Sequence, residues 1–275
     1  MQLKDLSEAV GLPLYEQIGK KLYLTAAGES LAETARAMVD EWQAFGQRVD
    51  AMKGLTRGRL RLAVVSTAKY FVPGLLGSFC AAHPEIDIAL EVLNRDGVVA
   101  RLQDNRDDLY IMSAPPTHLA LEQHAFLPNP LAVIAPKTHA LAEQDAIALV
   151  QLSTERFILR ERGSGTRLAC DSHFAAQGFA PNVRMELGSN EAIIQAVAGG
   201  LGLAIISRHA LASHLNENEL TVLDVKGFPL QSNWWTLYPR GKRLSPVTLE
   251  FLKHIERTAH ARTGVLDGYE ARLQS

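Results

Sequence analysis

The string LRERGSGTR places Arg160, Gly163, Ser164, Gly165, Thr166 and Arg167 next to one another. Flexible backbone, hydroxyls and fixed positive charge are together what binds a phosphate or a carboxylate, and either would suit these groups. Comparable polar residues follow other short apolar runs. Ser66 and Thr67 stand in VVSTAKYF, where either hydroxyl can cap a helix or bind a ligand. Asn94, beside Arg95 in VLNRDG, can reach a cleft or simply close a turn. Ser113 in IMSAPP precedes Pro115 and Pro116, which stiffen the loop so that its backbone is held in one conformation. Ser189 and Asn190 in ELGSNEAI open another helix. Unpaired N–H groups and the helix dipole favour anions where strands end and helices begin. The recurrence of such residues at successive strand ends points to a ligand cleft between two lobes.

Catalysis finds no named residues. The nine histidines show no HxH, HExxH or HxxxH grouping, so the expected metal content is none. Gly163-Ser164-Gly165 lacks the outer spacing of a nucleophile elbow, and no phosphate-binding Walker string is present. Gly200-Leu201-Gly202 follows a helix and opens a strand, the reverse of a dinucleotide loop, and reads as a helix end with a close packing turn. No acid/base pair stands out, so the chain reads as a binding protein without a cofactor, not an enzyme.

The elements that position these residues alternate in type. Arg59 to Val65 reads as a strand, Tyr70 to Ala82 as a helix with Pro73 near its start, and Ile86 to Leu93 as a strand by strict alternation. A helix through Val98 to Gln103 and a buried strand Asp108 to Met112 complete a βαβαβ unit, the mark of a doubly wound α/β sheet. A second unit follows with strands Leu131 to Ala135, Arg156 to Leu159, Asn182 to Glu186 and Gly202 to Ile206, and helices Arg167 to Gln177 and Glu191 to Ala198. Trp234 to Tyr238 is a further strand and Ser245 to Arg262 a last helix. Two lobes with crossings near Ala135 and Tyr238 describe a periplasmic-binding-protein-like architecture.

The start of the chain has a different character. Leu14 to Thr25 reads as a basic β-wing, and Thr25 can cap the helix after it. In that helix Leu31, Ala35, Met38, Trp42, Phe45, Val49 and Met52 recur in alternating steps of four and three, the seam of a coiled coil, before Gly54 and the basic linker Lys53 to Arg61. An amphipathic helix packed on its own domain would show the same period. Dimerisation is favoured because little precedes the helix that can cover Trp42 and Phe45. The formal net charge of −2 excludes a polybasic nucleic-acid binder, so phosphate contacts would be local, from Lys4, Lys20 and Lys21, unless these are a solvated face. Cys80 and Cys170 form no CxxC pair, and neither an export signal nor a membrane-length apolar run is present, which points to the cytoplasm.

The opening QLKDLSEAVGLPLYEQIGKKLYLTAAGE resembles the second half of the winged helix-turn-helix of LysR-type transcriptional regulators, with Ser7 where that family usually has Glu and Tyr15 where it has Phe. The resemblance implies that the first helices and the base-reading start of the recognition helix precede this point, so that Met1 would be an internal start. DNA would be a partner only when the helix-turn-helix is complete. The implied fold is an α/β, two-lobed periplasmic-binding-protein-like effector domain preceded by a partial winged helix and a long linker helix. The implied divisions are 1–25, 26–57 and 58–275, with lobe one at 58–135 and 237–275 and lobe two at 136–236. VVSTAKYFVPGLL, HPEIDIALEVLNRDGVVARL, DDLYIMSAPP, RERGSGTR and GSNEAIIQAVAGGLGLAIIS are most similar to regulators of the RuBisCO (Calvin-cycle) operons. That subgroup implies ribulose bisphosphate, phosphoenolpyruvate or NADPH as effector, held by Ser66, Thr67, Asn94, Ser113, Arg160, Thr166, Ser189 and Asn190. It also implies a dimer, or a dimer of dimers, and no membrane. A transporter's solute-binding receptor and a small-molecule enzyme on the same scaffold are the alternatives.

Overall fold

The computed structural model, which describes residues 3–52, 57–212 and 219–258, separates into two compact units. One is built from the first 57 residues with Arg243–Pro246, and the other begins at Gly58. In the first, helix α1 (Leu3–Val10) leads to an antiparallel hairpin of β1 (Tyr15–Ile18) and β2 (Lys21–Leu24), turned at Gly19 with a φ of 66°. Helix α2 (Ala26–Met52) follows at once. Thr25 caps it: its Oγ1 accepts the Gly28 N–H at 3.1 Å and donates to the Pro13 carbonyl at 2.6 Å. A Cβ on Gly28 would fall on the Leu14 carbonyl, so the close approach of helix to hairpin requires glycine there.

Helix α2 starts directly after Thr25, the cap read from the sequence, five residues before the apolar seam begins at Leu31. Leu31 and Val49 are half-buried, whereas Met38, Trp42 and Phe45 are exposed. The side chain of Met52, and Lys53 and Gly54 of the expected linker, lie outside the described residues. Lys4 on α1 and Lys20 and Lys21 at the hairpin are exposed.

The second unit holds two five-stranded sheets. In the first, β3 (Gly58–Val65) runs parallel to β4 (Ile86–Leu93) and β5 (Leu109–Met112), linked by a 3-10 turn (Ser66–Tyr70), α3 (Val72–Ala82) and α4 (Arg95–Gln103). The helix expected from Tyr70 starts at Val72, with Pro73 in its first turn, where the missing N–H costs nothing. Antiparallel β12 (Asn233–Pro239) and β6 (Leu121–Pro128) complete the order β4-β3-β5-β12-β6. Helix α8 (246–258) packs Val247, Phe251 and Ile255 into the core, with Phe251 and Phe79 at 5.0 Å edge to face. Residues 259–262 of the expected last helix lie outside the described residues.

The second sheet has the order β11-β7-β10-β8-β9, from β7 (Leu131–Pro136), β8 (Arg156–Arg160), β9 (Asn182–Leu187), β10 (Leu203–Ser207) and β11 (Leu220–Val222). Helices α5 (Gly165–Ala176) and α6 (Asn190–Ala198) connect its parallel strands, and α7 (Arg208–Ala212) follows β10. Apolar clusters flank this sheet on both sides. Gly202, with a φ of 149°, lies so close to the Arg156 carbonyl that no Cβ fits, which bears out the packing turn read from the sequence.

The crossings differ from those expected at Ala135 and Tyr238. The strand Leu131–Pro136 belongs to the second sheet, and the chain crosses at Asn129-Pro130 and returns at 231–232. Asn129 N donates to the Ser232 carbonyl at 2.8 Å, and Leu131 and Leu230 exchange backbone hydrogen bonds of 3.0 and 2.9 Å, so the two crossings run side by side. The displacement arises from β6, which the sequence reading omitted: LEQHAFLP is an edge strand, half of it exposed, with little apolar alternation to announce it.

Among the described residues no helix is long and apolar enough to cross a membrane, and no group of His, Cys, Asp and Glu side chains is placed to hold a metal ion. Both cysteines are free, and burial pushes the Cys170 thiol up to about 12, so it stays protonated and inert.

Candidate functional site

The carboxyl ends of β3, β4, β5, β8 and β9 converge where the two sheets face one another, and the convergence is made by hydrogen bonds between lobes. Arg160, at the end of β8, is 3% exposed. Its Nη1 donates to Thr67 Oγ1 at 3.3 Å and to Asn190 Oδ1 at 3.0 Å, and its Nη2 donates to Ser66 Oγ at 3.1 Å. Nε and Nη2 also grip the Glu161 carboxylate at 2.7 and 3.0 Å. Asn190 Nδ2 reaches Thr67 Oγ1 at 3.3 Å, closing the network across the lobes.

A second bridge lies beside it. Lys69 Nζ is 2.8 Å from Glu191 Oε1, the Tyr70 hydroxyl donates to the same oxygen at 2.8 Å, and Ser189 Oγ donates to Oε2 at 2.7 Å. Burial raises the Glu191 pKa, but hydrogen bonds from Lys69, Ser189, the backbone and Tyr70 outweigh it and bring the carboxyl to about 2. Burial, then the Glu191 carboxylate, push the Tyr70 hydroxyl upward. A depressed carboxylate pKa stabilises the fold above its ordinary value of 4.5, and that contribution is lost as pH falls through the folded value near 2. Wild type is therefore expected to melt above Glu191→Gln at neutral pH, with the difference in Tm shrinking steadily as the pH is lowered below 4.5. Melting curves of both proteins across that range check it, and a pH-independent difference contradicts it.

A third contact is made by backbone. Asp96 N donates to the Gly163 carbonyl at 3.3 Å, and Gly163, with a φ of 87°, sits where a Cβ would fall on the Asp96 carboxylate. A Cβ on Gly165 would stand 3.2 Å from Ser113 Oγ, so the two glycines let the lobe-two loop lie against lobe one. Arg95 Nε donates to the Ala114 carbonyl at 2.7 Å and pins the loop that carries Ser113.

The predicted residues divide by role. Ser66, Thr67, Arg160 and Asn190 are bonded to one another, and Ser189 belongs to the neighbouring bridge through Glu191. Asn94, Ser164 and Ser189 cap α4, α5 and α6, accepting the N–H of Gly97, Arg167 and Ala192 at 2.9, 3.3 and 3.3 Å. Ser113 meets the glycine loop, and Thr166 is buried in the first turn of α5. Arg167 is engaged within its own lobe. Its guanidinium binds Asp171 at 2.9 Å, Glu186 at 2.7 Å and the Arg160 carbonyl at 3.0 Å, fixing α5 to its sheet. The Arg167-to-Asp171 spacing of four was visible in the sequence as a helical ion pair. Lys69, Tyr70, Glu161 and Glu191 were missed. The acidic residue in the first turn of α6 was a legible helix-start signal, but its partner Lys69 lies 122 positions away.

The LysR substrate binding domain matches residues 53–259. A RuBisCO operon transcriptional regulator of Acidithiobacillus ferrooxidans is 46% identical over 255 residues, covering 93% of this chain and 82% of its own length. The HTH-type transcriptional activator CmpR of Synechocystis is 44% identical, over 92% of this chain and 84% of its own length. The regulatory domain of CcmR from Synechocystis, solved in complex with 2-PG, superposes with a TM-score of 0.72 at 47% identity, covering 74% of this chain and 98% of that domain. A full-length OxyR variant from Pseudomonas aeruginosa gives a TM-score of 0.73 at 19% identity, over 93% of this chain and 82% of that one, a likeness of fold alone. The chain belongs to the LysR family of transcriptional regulators.

Proposed function

We propose that this chain regulates carbon-fixation genes in response to a small phosphorylated metabolite bound between its two lobes, and that it acts as a regulator and not as an enzyme. The observation that carries the reading is Arg160, a buried guanidinium bonded to Ser66 and Thr67 of one lobe and Asn190 of the other. Lys69 adds a second positive charge, and the hydroxyls of Ser66, Thr67 and Ser189 supply neutral donors. Such a set suits a phosphate oxyanion. The relatives that regulate RuBisCO operons, and the 2-PG bound by CcmR, support 2-phosphoglycolate as the first candidate, ahead of ribulose bisphosphate, phosphoenolpyruvate and NADPH.

Ligand binding would shift the lobes toward the arrangement that holds it more tightly, and that shift would be felt by paired protomers on DNA. Pairing is assigned to the exposed face of α2, and phosphate-backbone contacts to Lys4, Lys20 and Lys21 once a complete helix-turn-helix is present. Thermal unfolding against these four phosphorylated compounds and a set of plain carboxylates tests the reading. A ligand at a hundred times its Kd adds about 2.7 kcal/mol, a rise of several degrees for a unit of this size. A rise confined to phosphorylated compounds is expected. A rise with carboxylates alone overturns the effector class.

A further inference from the structure

Arg160 has every donor of its guanidinium engaged. A guanidinium has five N–H groups, and in this protein every one is taken. Three go to the neutral oxygens of Ser66, Thr67 and Asn190. The other two grip the Glu161 carboxylate at 2.7 and 3.0 Å, the forked geometry in which arginine also recognises a phosphate or carboxylate ligand. An incoming anion therefore finds Arg160 already occupied by an anion of the protein's own. The neighbouring charge is likewise matched, because Lys69 is held by Glu191 at 2.8 Å.

Of the partners of Arg160, Glu161 is the one built to leave. Its side chain is 25% exposed whereas that of Arg160 is 2% exposed, so the carboxylate approaches from the solvent side. Its backbone is fixed independently, with Glu161 N donating to the Leu187 carbonyl at 3.2 Å and its carbonyl accepting the Ser164 N–H at 3.2 Å. Beside it, Gly188 leaves the carboxyl room, since even an added Cβ there would stand 3.9 Å away. The side chain can swing out without disturbing the strand end or the cap of α5.

We propose that Glu161 is an internal competitor for the ligand's anionic group: it fills the fork of Arg160 in the ligand-free protein and is displaced when ligand binds. The proposal rests on the inter-lobe cleft being the effector site. A doubly charged phosphate competes with the Glu161 carboxylate better than a singly charged carboxylate does, so Glu161 sets the threshold of the response and favours the phosphate. Wild type and Glu161→Gln are titrated with 2-phosphoglycolate and with glycolate by calorimetry, after circular dichroism has established that the variant is folded. Glu161→Ala is the second variant should glutamine perturb folding.

Without the competing charge, 2-phosphoglycolate is expected to bind about tenfold more tightly, and glycolate to gain measurable affinity. Equal affinities in wild type and variant overturn the competitor role while leaving the cleft as the effector site. Weaker binding by the variants overturns it differently, by making Glu161 a contact of the ligand. If neither wild type nor variant binds any of the phosphorylated candidates, the effector reading fails, and this proposal with it.

Discussion

Substituting Arg160 by alanine is expected to weaken the binding of a phosphorylated effector by about a hundredfold or more, and so to abolish the ligand-induced rise in melting temperature at concentrations that saturate wild type. The guanidinium bonds Ser66, Thr67 and Asn190 together, and removing it deletes both a charge and one of the ties between lobes. The remaining oxygens can still bond one another, as Asn190 and Thr67 already do at 3.3 Å, and Glu161 can turn to solvent. The variant should therefore fold, with a lower melting point in the absence of ligand. Arg160→Lys retains charge but cannot make the forked pair, and is expected to recover only part of the affinity. Calorimetric titration of the three proteins with 2-phosphoglycolate is the check, and undiminished binding by Arg160→Ala would take the site away from this cleft.

The second large effect belongs to α2. Met38, Trp42 and Phe45 are 69, 74 and 50% exposed, and the rings of Trp42 and Phe45 lie 5.9 Å apart on one side of the helix. A helix that leaves side chains of this size in water has an apolar face suited to a partner. Placing a carboxylate in that face by Phe45→Glu would bury an unpaired charge in the pair of helices. A penalty of about 3 kcal/mol raises the dimer dissociation constant more than a hundredfold. Light scattering is expected to show a dimeric or larger assembly for wild type and half the mass, or less, for Phe45→Glu. The control Gln43→Glu, exposed and turned away from Phe45, should leave the mass unchanged. An unchanged mass for Phe45→Glu would mean that this face does not hold protomers together.

Glu191, Arg160 and Glu161 also explain why the site was only partly legible. The strand Ile86–Leu93 was read to the residue because alternation of apolar and polar side chains is a local consequence of the two-residue repeat. The hydroxyls and amides at helix starts were equally local, since a cap and the N–H it accepts lie three residues apart, as Asn94 and Gly97 do. Membership of the LysR family was likewise carried by contiguous strings, and the family match covers those from VVSTAKYFVPGLL onward, while the opening string at residues 2–29 lies outside it.

Contacts between lobes have no such local trace. Arg160 and Ser66 are 94 positions apart, and Lys69 and Glu191 are 122 apart. Which of two neighbouring arginines faces the cleft depends on the carboxylates that reach it: Arg160 meets lobe one, while Asp171 and Glu186 hold Arg167 within its own lobe. The chain crossing was misplaced for the same reason, because the edge strand Leu121–Pro128 owes its place to backbone pairing with Asn233–Pro239 and not to apolar pattern. The sequence by itself determined most of the elements, their caps and the family, since each depends on residues a few positions apart. Tertiary structure decided which side chains meet across the lobes, Lys69 with Glu191 and Arg160 with Ser66 and Thr67, because such contacts are set by distance in space and not along the chain.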